Sequence, residues 1–157
     1  MARPSRSNLR KTHPVTWLVL GVLFILGLLL FSAYYPGWLA ARATADESRA
    51  RGTLRQIGSC AAEYEAKHQS YPSSLAAMGT AAEWCKDVAM LGKRGGYAFS
   101  YTPGPADAGE RIATYSAEAR PVEYEGRRTT SYFMDGSGMM RFTNQDRPAN
   151  AEDTPVQ

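Results

Sequence analysis

The hydrophobic positions of this chain fall into two regimes with different periods. Residues 15–35 (VTWLVLGVLFILGLLLFSAYY) hold 21 positions without a charge, and their only polar members are Thr16, Ser32 and the terminal tyrosines. At about 1.5 Å of rise per residue such a helix spans about 30 Å, the hydrocarbon thickness of a bilayer. A core helix of a soluble protein carries a polar stripe, and none is present here. Trp17 near one end, and Tyr34, Tyr35 and Trp38 at the other, stand where aromatic rings sit at the two membrane interfaces. The pattern predicts a transmembrane helix over 15–35 with these four residues as interface anchors. Gly21 and Gly27 are six apart, so they lack the four-residue spacing of close-packed helix dimers.

Beyond Pro36 the pattern becomes amphipathic. Leu54, Ile57, Ala61, Tyr64 and His68 recur at steps of three and four and share one helical face. Glu47 and Arg51 form a favourable i,i+4 pair, whereas Arg51 and Arg55 repel. Residues 36–69 therefore read as a stalk helix continuing the membrane helix. Tyr71-Pro72 breaks it, a short turn is expected at 74–78, and 81–91 reads as a weak helix or an irregular loop. The period then drops to two. Strands are expected at 96–102, 112–119, 130–134 and 139–143, separated by the turn-rich PGPADAG and by a polar turn at 123–128. Asp135, Gly136, Ser137 and Gly138 between the last two strands are a hairpin signal, because glycine accepts the positive φ that tight turns need. The expected fold is α+β: a long transmembrane-plus-stalk helix packed on a small antiparallel sheet of about four strands, with a head over 70–143. Residues 144–157 are polar, contain proline and show no period, which predicts a disordered or loosely held tail.

Charge fixes the orientation. Residues 1–14 carry Arg3, Arg6, Arg10 and Lys11 and no acid. Short positive flanks stay in the cytoplasm, so 1–14 is expected inside and the head outside, in a periplasmic or extracellular space. A cleaved secretory signal is the rival reading. An A-x-A-like site exists at Ala41-Arg42-Ala43, but the apolar run exceeds the usual length of about 7–15 residues. The formal charge of +3 belongs to the tail: without its four cations the chain has 14 Lys+Arg against 15 Asp+Glu. The head then offers no basic nucleic-acid surface, only the scattered pairs Lys93-Arg94 and Arg127-Arg128.

Candidate chemistry is sparse. Cys60 and Cys85 are both expected in an oxidising space, where two cysteines without CxxC spacing read as a structural disulfide rather than a metal or redox site. His68 is the sole histidine outside the basic tail and reads as a helix-end residue. Glu63 and Glu65 point apart on a helix, Asp135 alone cannot build a calcium site, and Ser131 and Ser137 have no His/Asp partners in sequence. Tyr97, Phe99 and Tyr101 alternate onto one side and read as core against Leu54, Ile57 and Tyr64; a ligand-stacking platform is the rival. No catalytic constellation, cofactor or metal is expected.

The order of these pieces is similar to the type IV pilins and type II secretion pseudopilins. The resemblance covers roughly 33–143. It is carried by YPGWL at 35–39, the helix from 41 to 66, YPSSLAAMG at 71–79, GYAFSYTPG at 96–104, ATYSAEARPV at 113–122 and SYFMDGSGMMRF at 131–142. It implies a pilin-like head on a long helix at the bacterial inner membrane, single-pass, with membrane lipid and other envelope, pilus or secretion subunits as partners. The chain departs from the family at its most specific point. Aligning the family's helix proline on Pro36 puts Pro14 at the prepilin peptidase cleavage glycine and Val19 at the early glutamate that registers subunits. No acid precedes Asp46. The reading is thus a membrane-anchored, non-enzymatic pilin-like subunit that keeps its anchor. The alternatives are a minor pilin or pseudopilin, an accessory subunit of another membrane complex, or an exported ligand-binding module.

Overall fold

The computed structural model describes residues 14–124 and 130–156. The basic tail expected at 1–14, apart from Pro14, and most of the polar turn expected at 123–128 lie outside them. The chain divides into two compact units at Leu39/Ala40.

Helix α1 runs Pro14–His68 and contributes to both units. In the first unit, the large apolar side chains from Val15 to Phe31 are all exposed, and none of the apolar window is buried within the protein. By length and composition this is a helix able to cross a membrane. In the second unit the same helix turns one face inward. Ala50, Leu54, Ile57, Cys60 and Ala61 are buried and Tyr64 packs beside them, as the three-four spacing predicts. His68 ends the helix exposed, with its ring 4.2 Å from that of Tyr64. Glu63 pairs with Lys67 at 3.1 Å along the solvent side. Glu47 accepts a hydrogen bond from Thr130 Oγ1, and Arg51 donates to Ser48 Oγ, contacts the i,i+4 pattern did not foresee.

The segment after α1 is built from short turns. Ser74 caps α2 (Leu75–Met78) by accepting from the Ala77 amide. A 3-10 turn, Glu83–Cys85, runs into α3 (Lys86–Ala89). The region left open between helix and loop is therefore two single turns.

The sheet has six antiparallel strands in sequence order: β1 (Lys93–Arg94), β2 (Tyr97–Pro103), β3 (Tyr115–Pro121), β4 (Ser131–Asp135), β5 (Met140–Thr143) and β6 (Thr154–Pro155). The expected count of about four is corrected to six. Both added strands have two residues, too few to show a period in sequence. The central four match the expected ones, with Ile112 placed in an isolated bridge to Ala106 rather than in β3. Register Phe99↔Ala119 and Ala119↔Tyr132 puts Tyr97, Phe99, Tyr115, Ala117, Ala119, Tyr132, Met134 and Met140 in the buried cluster with the α1 face. The small alanines of β3 leave room for the helix, and the tyrosines fill the flanks. At the β4–β5 hairpin Asp135 Oδ1 accepts from the Ser137 amide at 2.9 Å and Gly138 takes φ +75°, the turn expected at Asp135–Gly138.

The tail is the main departure from the sequence reading. Residues 144–156, expected to be disordered or loosely held, make contacts with the sheet. Arg120 on β3 pairs with Asp146 at 2.9 Å, and Arg141 on β5 donates to the Asp153 carbonyl. Strand β4 lies between β3 and β5, so the segment from Asn144 to Asp153 crosses its outer side as a strap. An ion pair between Arg147 and Asp153 closes the strap, each group holding the other in its charged form. Ala149 is buried, as are Ser131, Phe133 and Thr143 on the outward positions of β4 and β5.

Glu118 on β3 lies opposite Phe133 on this outer side. Burial raises its pKa, and Arg120 offsets this in part. A folded-state pKa above the unfolded one means stability is fully present below the unfolded value and falls as pH rises through the folded value. Glu118→Gln is therefore expected to melt higher than the parent at pH 7, with the two melting curves converging below the carboxylate range; equal melting temperatures at pH 7 would show that the burial costs nothing.

Candidate functional site

Three places on the second unit gather side chains with chemical potential. The first is the disulfide. Cys60 on α1 and Cys85 at the end of the 3-10 turn are joined, with Cα atoms 5.8 Å apart and both side chains fully buried. The bridge pins the two short turns to the helix, as the sequence suggested. Lys67 adds a hydrogen bond from α1 to the Ala81 carbonyl.

The second is a tyrosine stack. Tyr101 and Tyr115 face each other with ring centroids 5.4 Å apart, and Tyr71 meets Tyr115 edge-on at 4.8 Å. Tyr101 donates to the Pro72 carbonyl at 2.9 Å. Burial pushes the Tyr115 hydroxyl up to about 12 and the Tyr101 hydroxyl further, so both stay protonated across the physiological range. Both phenols are packing groups, and Tyr101 is also a hydrogen-bond donor. Tyr71 and Tyr115 border an open groove of about 460 Å³ with Arg55, Met134 and Ser137. The aromatic residues read as core are core: Tyr97 and Phe99 are buried and Tyr101 packs against the cluster.

The third place is a groove of about 540 Å³ between α1 and the β1–β2 edge. Arg49, Gly52, Thr53 and Gln56 come from α1; Arg94, Gly95 and Phe99 come from the sheet side. Arg49, Thr53 and Gln56 are spaced by four and three and share one face. Arg49 bonds Asp46 at 3.1 Å, and Asp46 is buried while Arg49 is exposed. Arg94 has no acidic partner among the described residues. The walls of this groove lie 38 to 50 residues apart in the chain, so no local period reveals it. The available signals were a glycine in mid-helix, Gly52, and the basic pair Lys93-Arg94.

The expected anchors Trp17, Tyr34, Tyr35 and Trp38 lie on the exposed apolar part of α1, with Tyr35 stacked on Phe31 at 5.2 Å. Asp135, Gly136, Ser137 and Gly138 form a turn whose carboxylate is taken up by Ser137. Ser131 is fully buried, and its hydroxyl has no hydrogen-bond partner among the described residues. Among the described residues no three His, Cys, Asp or Glu side chains group as a metal site would.

The fold and its sites define an α+β protein with one long, apolar N-terminal helix, a six-stranded antiparallel sheet and a structural disulfide. No family model matches the chain, and no characterised protein and no solved structure matches it.

Proposed function

We propose that this protein is a membrane-anchored, pilin-like, non-enzymatic subunit that acts in assembly or protein–protein interaction at the bacterial cell envelope. The observation that carries the reading is α1. One part of it exposes apolar side chains that only lipid or another apolar helix can cover, and another part is the floor of a sheet's core. The basic residues at 3–11 support an N-in orientation at the inner membrane, and a Cys60–Cys85 bridge suits an oxidising space outside it. Absence of an acid before Asp46 favours a subunit that keeps its anchor over one that registers in a filament.

Intact mass and N-terminal sequence of the protein recovered from membranes test this. The expected result is a mass matching the 17.2 kDa chain, allowing for loss of Met1. A chain starting near Val15 would instead make it a processed pilin or pseudopilin, and a start beyond Ala33 or Ala43 would make the head a released module.

A further inference from the structure

We propose that the groove between α1 and the β1–β2 edge is a docking site for an acidic segment of a partner protein, gripped by the guanidinium groups of Arg49 and Arg94. The two cations stand on opposite walls, one from the helix and one from the edge strand. Arg49 is shared with Asp46, its side chain 71 % exposed, while Arg94 has no acidic counter-charge among the described residues and Lys93 adjoins it. Asp46, its Oδ1 3.6 Å from where a Cβ on Gly95 would stand, sets one carboxylate beside the two guanidinium groups, which leaves the groove net positive. Guanidinium forks suit carboxylates, which they can hold through paired N–H donors.

Three further features point to a polypeptide rather than a lone anion. Thr53 and Gln56 are half-buried in the groove wall, and their polar ends have no partner among the described residues, leaving donors and acceptors for a peptide backbone. Phe99 and Ala50 give it an apolar floor that a phosphate would leave unused. Gly52 opens the wall itself. A methyl group there would meet nothing within 4 Å, so alanine would fit and would favour the helix. Glycine instead leaves the helix backbone free for close approach of another chain. The inference rests on the reading of the protein as an assembly subunit, and supplies the surface by which it would meet an acidic neighbour.

The test uses the full chain in dodecyl maltoside micelles at low salt, titrated with fluorescein-labelled tetraglutamate and, in parallel, tetraglutamine, by fluorescence anisotropy. Tetraglutamate is expected to bind at least about tenfold more tightly than tetraglutamine. Arg94→Gln and Gly52→Leu are each expected to weaken it about tenfold without lowering the melting temperature, and Arg55→Gln, which lines the other groove, to leave it unchanged. Equal binding of the two peptides, or full binding by Arg94→Gln, overturns the proposal. Displacement by an equal concentration of inorganic phosphate would make the groove a simple anion site. Displacement by phosphatidylglycerol added to the micelles would make it a lipid site; both overturn the acidic-segment reading. The mass measurement on membrane protein is independent, so a released head that still binds tetraglutamate would sink the anchored-subunit reading alone.

Discussion

Replacing Cys60 or Cys85 with alanine is expected to lower the stability of the second unit by about 3 kcal/mol and its melting temperature by about 10 °C or more. The bridge closes a loop with a sequence separation of 25, and in the chain-entropy model the gain comes from the unfolded state, which loses conformations when cross-linked. The native side adds to the effect here. Both sulfurs sit in the buried cluster beside Ile57, Ala81 and Val88, so alanine also leaves a small void. Beyond the end of α1 the intervening chain has only one short helix and a 3-10 turn, and single hydrogen bonds involving Lys67, Tyr71 and Tyr101 tie it to the rest. Hydrogen exchange should then accelerate first over Glu83–Ala89, before the sheet responds. Thermal unfolding followed by circular dichroism, with and without reductant, checks the magnitude. A variant that melts within two or three degrees of the parent would mean that the helix and turns hold this region without the bridge.

Removal of residues 144–157 is expected to cost about 2–4 kcal/mol, nearly as much as loss of the disulfide. Deletion exposes what the buried Ala149 packs on and cuts the strap's ties to Arg120 and Arg141. Deletion also removes β6 and its pairing to Arg141 and Phe142. The exposed ion pair Arg120–Asp146 contributes little, since both partners face solvent. Ala149→Glu should act in the same direction with the chain intact, because a charge at that buried position forces the strap off the sheet. Both variants should bind a hydrophobic dye through the uncovered outer side of β4 while keeping their far-ultraviolet spectrum. Unchanged melting in both would show that the strap rests on the sheet without stabilising it.

The two effects differ in how far the sequence foretold them. Two cysteines in a segment expected to be exported admit one intramolecular pairing, so the bridge could be read from composition and the expected compartment. The strap could not. Asp146 and Arg120 are far apart in the chain, and a segment of polar residues and prolines carries no period by which its landing place could be read. Phe133 shows the same limit from the other side. Its neighbours Tyr132 and Met134 belong to the cluster on α1, so alternation places Phe133 outward, yet it is buried, which no local period foretells.

The groove repeats the lesson for function. Thr53 and Gln56 lie off the Leu54, Ile57 and Ala61 face of α1, and nothing in their spacing marks them. They become groove walls because β1 and β2 return along that side of α1 and bring Arg94 opposite Arg49.

Local pattern by itself determined the apolar helix, the amphipathic face of Leu54, Ile57 and Ala61, the four central strands and the glycine turn after Asp135. Each follows from the spacing of neighbouring residues, and burial of a repeating face is enough to select it. Tertiary structure alone decided the two edge strands, the strap between β5 and β6 and the placing of Arg49 and Arg94 on one groove. These depend on contacts between segments tens of residues apart, which are set by how the whole chain closes rather than by any local period.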